Sequence, residues 1–198
     1  YSGITVSDSP QMLKGRLQLF QESLYFEQQD KELQDYPGIQ EWRKTFKLAG
    51  TEASRYRPSV EALYRRIKKQ NYLQPVNSAI DINNFFSLQY EIPLGIYDSD
   101  RISGDIIVTI GSEADEYEGI NGRMNSLKNM ILTRDDLGPF GSPFVDSKRT
   151  MVTEKTCNAI QFVYIRPSMS VEEAKQLTAS LMSMFTNIHG GQSSFGIQ

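Results

Sequence analysis

Apolar residues recur at intervals of four, three and four along Leu13, Leu17, Phe20 and Leu24, the spacing of one face of an α-helix. Asp8-Ser9-Pro10 ahead of them supplies a capping residue and a helix-opening proline. Residues 11–34 are therefore expected to form one or two helices, with Gly15 weakening the first of them. Residues 4–7, before that run, read as a short strand. Pro37-Gly38 breaks the pattern, and residues 39–48 predict a further helix with Trp42 and Phe46 on one face, stopped by Ala49-Gly50. After Pro58-Ser59, Val60, Leu63, Tyr64 and Ile67 share one helical face while Arg65, Arg66, Lys68 and Lys69 take the other. Residues 79–88 fit both helix and strand at Phe85-Phe86 and are read as mainly helical.

Beyond Pro93 the pattern changes. Residues 106–110 and 159–165 are β-branched and aromatic runs bounded by Gly, Asn or Pro, which predicts strands. Asn121-Gly122 is a hairpin-turn signal, and Ile131-Leu132-Thr133 reads as another short strand before Asp135-Asp136-Leu137-Gly138-Pro139. Residues 170–187 open on Ser170-Val171-Glu172-Glu173, a capping-box pattern, and carry Val171, Ala174, Leu177, Leu181 and Phe185 on one face. His189-Gly190-Gly191 then reads as a C-cap and tail. Helices in the first and last parts with strands between them imply an α+β fold. At 198 residues the chain is expected to be a single domain over 1–198, with N-terminal elements over 1–42, a core over 43–165 and a C-terminal helix and tail over 166–198.

Composition narrows the functional classes. No apolar run approaches the roughly 18 residues of a membrane helix, and no basic region followed by an apolar one marks a leader, so no membrane association and a cytoplasmic location are expected. One cysteine, Cys157, and one histidine, His189, exclude an intrachain disulfide and the usual zinc spacings; neither metal nor cofactor is expected. The net charge is only −3, but Arg43, Lys44, Lys47, Arg55, Arg57, Arg65, Arg66, Lys68 and Lys69 face just Glu52 and Glu61 across 43–69. Seven acids crowd 98–118 against Arg101. One basic end suits a phosphate-rich partner; a solvated amphipathic helix, with Arg55, Arg57 and Arg65 paired to Glu61 and its neighbours, explains the same residues. Nothing in the pattern assigns an oligomeric state.

No phosphate-loop, dinucleotide fingerprint, nucleophile elbow or metalloprotease pair occurs, and a Cys-His or Ser-His triad lacks candidates. What remains is small polar residues gathered in two places: Asn77, Asp81, Asn83 and Asn84, and Asp146, Ser147, Lys148, Arg149, Thr150 and Thr153. Such groups can position a water and donate hydrogen bonds, and they equally make ordinary turns.

The order of these residues carries a resemblance. Ser54-Arg55-Tyr56-Arg57-Pro58-Ser59-Val60-Glu61-Ala62-Leu63-Tyr64-Arg65-Arg66-Ile67 is similar to the signature of free-standing B3/B4-domain proteins, which resemble the B3/B4 editing and tRNA-binding module of the bacterial phenylalanyl-tRNA synthetase beta chain. Residues 75–85, Pro93-Leu94-Gly95-Ile96-Tyr97-Asp98, Gly119-Ile120-Asn121-Gly122 and 146–156 continue it, over about residues 43–165. The resemblance implies a β-sandwich-like core flanked by helices, and a pocket that hydrolyses a misacylated aminoacyl-tRNA ester without being a complete synthetase. Its partner would be the aminoacylated 3′ end of a tRNA. Carried over by position, Asn83 and Asn84 match a Thr-Asn pair of the pocket, with Asp81 before them. Gly95 stands where the family has a histidine, and Phe162, or Gln161 with a one-residue slip, where it has a glutamate that selects a tyrosine hydroxyl. Two readings follow. In one, Asn83, Asn84, Arg149 and Thr150 act in catalysis, Asp81, Gly95, Asp146, Ser147 and Thr153 bind substrate, and Arg55, Arg57, Arg65, Arg66, Lys68 and Lys69 touch RNA. In the other, a non-catalytic module of the same fold binds RNA or an amino-acid-like ligand.

Overall fold

The first 90 residues are helical because apolar stripes there repeat at the helical period. In the computed structural model, which describes residues 1–52 and 55–198, they form α1 (Gln11–Glu27), α2 (Pro37–Ala49), α3 (Ser59–Lys68) and α4 (Ser78–Tyr90). Ser54, the first residue of the Ser54–Ile67 string, lies outside the described residues. The stripe of α1 buries Leu13, Leu17 and Leu24, and Phe20 is half-buried. The run 11–34 does not stay α-helical to its end: α1 stops at Glu27, and Leu33–Asp35 is a single 3₁₀ turn. The ambiguous 79–88 stretch is helix, capped by Asn77, whose Oδ1 accepts the Ile80 N–H at 3.0 Å. Residues 4–7 are not a strand. Ile4 N donates to Cys157 O and Thr5 N to His189 O, both at 2.9 Å, so their backbone groups are satisfied by two different segments without a ladder.

The second half holds β1 (Leu94–Asp98), β2 (Ile107–Ile110), β3 (Glu116–Glu118), β4 (Met124–Ser126), β5 (Ile131–Asp135), β6 (Gly138–Gly141) and β7 (Ala159–Val163), then α5 (Val171–His189). The fold is α+β. Its β layer is three small antiparallel sheets: β1-β7, β2-β5-β6 and β3-β4. The Asn121-Gly122 turn joins β3 to β4, with Gly122 at φ 72°, the left-handed conformation that glycine permits. β6, in the Gly138-Pro139 segment to which the sequence pattern assigns no element, is an edge strand, where proline costs no ladder bond. β2 is the opposite edge of that sheet and leaves Ile107, Val108 and Ile110 exposed. Helix α5 begins as its capping box predicts, with Ser170 Oγ and the Glu173 backbone and carboxylate in reciprocal contact. It runs past Asn187. His189, expected in a tail, is its last residue and is buried, because its ring stacks on Phe185 and its nitrogens meet Phe185 O and Ser78 Oγ at 2.8 Å each.

Two features set up the rest. Helix α4 packs on β1, joining Ile82 and Phe86 to Leu94 and Ile96 in the main core. The alternate residues of β1 turn the other way: Tyr97 meets Phe140 of β6 and Phe162 of β7, at ring centroid distances of 5.0 and 6.0 Å. The two-stranded β1-β7 ribbon thus has an α4 face and a β6 face. No described helix is long and apolar enough to cross a membrane, and no group of three metal-ligating side chains occurs among the described residues.

Candidate functional site

On the α4 face, Asn83 is buried and fixed at both ends of its amide. Its Nδ2 donates to Leu94 O at 3.0 Å, and its Oδ1 accepts from Gln161 Nε2 at 2.8 Å. Gln161 in turn accepts from Tyr1 Oη at 2.8 Å. Asn84, one residue on and so about 100° round the helix, is half-buried and its amide has no hydrogen-bond partner among the described residues. Asp81 is enclosed: its carboxylate accepts Ser9 Oγ at 2.5 Å and Val76 N at 3.0 Å, holding the segment before α4 against its first turn. Burial pushes this carboxyl above the usual range, against the pull of the Ser9 hydroxyl.

The β6 face carries a second polar group of residues. Gly95 and Phe162 are direct partners in the β1-β7 ladder, so the two positions that depart from the resemblance face each other. Tyr97 is wholly buried and folds back over Gly95; a Cβ there, or on Gly141 of β6, would collide with the Tyr97 hydroxyl. That hydroxyl donates to Asp146 Oδ1 at 2.6 Å. Burial pushes the Asp146 carboxyl up to about 7, although the Tyr97 donor pulls the other way, and burial raises Tyr97 well above its ordinary range. Tyr117 donates to Val145 O and lies 2.9 Å from Ser142 Oγ. The hydroxyls of Tyr164, Thr133 and Thr150 are buried without a hydrogen-bond partner among the described residues.

Beside Asp146 the chain makes a 3₁₀ turn, Lys148–Thr150, capped by Ser147 Oγ, which accepts Arg149 N at 3.1 Å. Arg149 forks onto Asp135, Nη1 to Oδ2 at 3.1 Å and Nη2 to Oδ1 at 2.8 Å, and donates further to Arg101 O and Gly138 O. Asp135 is buried, which disfavours its charge, yet the Arg149 donors together with the Ser103 and Leu137 N–H groups outweigh this and hold the carboxyl below its ordinary range. Thr150 is enclosed, and Thr153 is a turn residue whose N–H donates to Thr156 Oγ1 at 3.0 Å. An open depression of about 420 Å³ is lined by Glu116, Tyr117, Glu118, Leu137, Pro139, Ser147, Lys148 and Arg149. It brings together Ser147 and Arg149 of the expected site; Asp146, the residue before Ser147, is not part of its lining and turns its carboxylate to Tyr97. Asn83, fixed on the α4 face, belongs to a separate group.

The basic residues also divide. Arg57 and Arg65 pair with buried Glu61, as does Arg43 of α2. Lys68 pairs with Glu32 at 2.9 Å, and Arg55 lies over the Tyr56 ring. Arg66 and Lys69 are exposed and have no partner among the described residues. Sequence reasoning left Tyr97, Asp135 and Arg43 out of the candidate site residues, although it counted Arg43 in the basic stretch. For Tyr97 a signal was present: a glycine two positions before an aromatic on one strand face leaves room for the ring.

A family model described as the B3/4 domain matches residues 41–183. The uncharacterized protein YhzB of Bacillus subtilis (strain 168) is 33% identical over 191 residues, covering 96% of this chain and 86% of that protein. The phenylalanine–tRNA ligase beta subunit of Bartonella henselae is 28% identical over 90 residues, 44% of this chain and 11% of the subunit. That of Fusobacterium nucleatum is 23% identical over 121 residues, 60% of this chain and 15% of the subunit. The chain therefore matches one small part of each ligase subunit and most of YhzB.

Proposed function

The chain belongs to the B3/4 domain family, and from that premise we propose that it binds the aminoacylated 3′ end of a tRNA and hydrolyses the ester of a misacylated one. The observation that carries this reading is the depression at the Ser147–Arg149 turn, whose lining includes Lys148, paired with Glu118 at 2.9 Å, and Arg149; Asp146 immediately precedes that turn in the chain. A terminal adenosine and its ester would lie along Ser147, Lys148 and Arg149, the last held rigid by Asp135. Water adds to the ester carbonyl, the bond to the ribose oxygen breaks, and the proton from water passes to that oxygen. A carboxyl titrating near neutrality is suited to relay it. At Gly95, the position where the resemblance puts the family's histidine, the space is filled by the Tyr97 ring.

One observation favours the non-catalytic module as a second reading: Asn83 is held on the α4 face of the ribbon, whereas Arg149 and Thr150 follow the Tyr97-linked Asp146 segment. The discriminating experiment is deacylation of a panel of mischarged tRNAs by the protein, with Asp146→Asn and Asn84→Ala variants beside it. Discharge of one aminoacyl-tRNA by the protein, at least tenfold slower in Asp146→Asn, supports hydrolysis at the depression. Rates equal to buffer across the panel, with tRNA still bound, leave the binding module.

A further inference from the structure

Glu61 is 1% exposed, and its Oε1 collects three guanidinium groups: Arg43 Nη2 at 2.7 Å, Arg65 Nε at 2.8 Å and Arg57 Nε at 3.7 Å. Arg43 also gives Nε to Oε2 at 2.8 Å, so it alone makes the bidentate pair a carboxylate needs. Burial opposes the charge on Glu61, and the donors of Arg43 and Arg65 outweigh it, holding the carboxyl below the usual range. Arg57 and Arg65 are then surplus to neutralisation. Their side chains are 45% and 43% exposed, and their terminal Nη groups make no hydrogen bond among the described residues. Like charges gathered on one oxygen repel one another, and exposed pairs return little stability. Stability alone explains Arg43 and leaves Arg57 and Arg65 unexplained. Three separate segments deliver the groups: α2, the stretch before Pro58, and α3. The cluster is therefore a product of the fold, unlike a charged stripe along one helix. Guanidinium forks match phosphate oxygens in geometry as well as charge.

We propose that Arg43, Arg57 and Arg65, organised by Glu61, form a binding site for a phosphate group. The source of that phosphate, the tRNA backbone, rests on the function proposed above; the site itself does not. Lys68 and Arg55, engaged with Glu32 and Tyr56, lie outside the cluster.

The test compares the unmodified protein with an Arg57→Gln/Arg65→Gln variant, in which the Arg43–Glu61 pair keeps the buried carboxylate neutralised. A Lys31→Gln/Lys128→Gln variant loses the same charge elsewhere. Inorganic phosphate is titrated calorimetrically at constant ionic strength, and tRNA binding is measured over a range of salt; circular dichroism checks that each variant is folded. Saturable phosphate binding is expected in the protein and the charge control, weakened at least tenfold in the arginine variant. With tRNA, the arginine variant should lose about tenfold in affinity and roughly two from the log–log salt slope. Absence of phosphate binding in the unmodified protein, or equal binding by the arginine variant, overturns the site even if tRNA binds. Loss of phosphate binding in that variant, with no tRNA affinity in any form, upholds the site and removes the RNA reading. An unchanged salt slope in a variant that no longer binds phosphate overturns the assignment to the tRNA backbone.

Discussion

The hydroxyl of Tyr97 lies where a side chain on Gly95 would begin, so the ring of one residue of β1 closes the space above another two positions earlier. Tyr97 is wholly buried there, between Gly95, Gly141, Phe140 and Phe162.

Replacing Gly95 with alanine is expected to destabilise the protein by about 1–3 kcal/mol, because the added carbon meets a ring that has no room to retreat. Urea denaturation measures it. A midpoint equal to that of the unmodified protein would show that Tyr97 leaves its position freely.

Asp146 gives stability a pH dependence of defined sign. Its carboxyl titrates near 7 in the fold and near 4 in the unfolded chain, so the folded state binds the extra proton between those values. Stability from this group is full below about pH 4 and is lost as pH rises through 7. Asp146→Asn keeps an acceptor for Tyr97 and should flatten that decline by roughly 2 kcal/mol, less than the full linkage value because the residue is partly exposed. Parallel pH profiles of the two proteins would exclude Asp146 as the source.

His189 acts with the opposite sense. Burial lowers its pKa despite the Phe185 carbonyl, so the stability tied to the neutral ring is present above the unfolded value, about 6.5, and is lost as pH falls through the lower folded value. The ring proton resonances of His189 should stay at their neutral positions on titration from pH 8 to pH 6.5. A midpoint at or above 6.5 contradicts the burial argument.

Arg149→Lys should lower stability by about 1–3 kcal/mol. An ammonium cannot reproduce the fork onto buried Asp135 together with the bonds to Arg101 O and Gly138 O. Thermal melting reads this directly. A loss below 0.5 kcal/mol would mean that Arg149 is held by solvent more than by Asp135.

Much of the helical half was legible in the residues. The stripe of Leu13, Leu17 and Leu24, the face of Val60, Tyr64 and Ile67, and the capping box at Ser170 all state their structure locally. β1 and β6 were not legible, since Gly95 and Gly138-Pro139 look like turn residues until a partner strand is present to use them. The same limit applied to the candidate site. Asp81 and Arg149 have the chemistry of a site, but their partners Ser9 and Asp135 are chosen by tertiary placement, as is Asp146 for Tyr97, 49 residues away in sequence, whereas Thr153 serves a local turn to Thr156. Of the alternative pairing of Arg55, Arg57 and Arg65 with Glu61 and its neighbours, the contacts of Arg57 and Arg65 with Glu61 are present, while Arg55 lies over the Tyr56 ring. Arg43 joined them only through the packing of α2 beside α3.

The β1-β7 ribbon is two strands wide, with the amide pair of Asn83 and Gln161 on one face and the phenol of Tyr97 on the other. A wall of this kind decouples inheritance on its two sides. Substitutions that reshape the Tyr97 compartment have no shared side-chain partner with those around Asn83, so their effects should sum to within about 0.5 kcal/mol. Each face can therefore drift or specialise on its own, and a lineage can remodel one without re-solving the packing of the other.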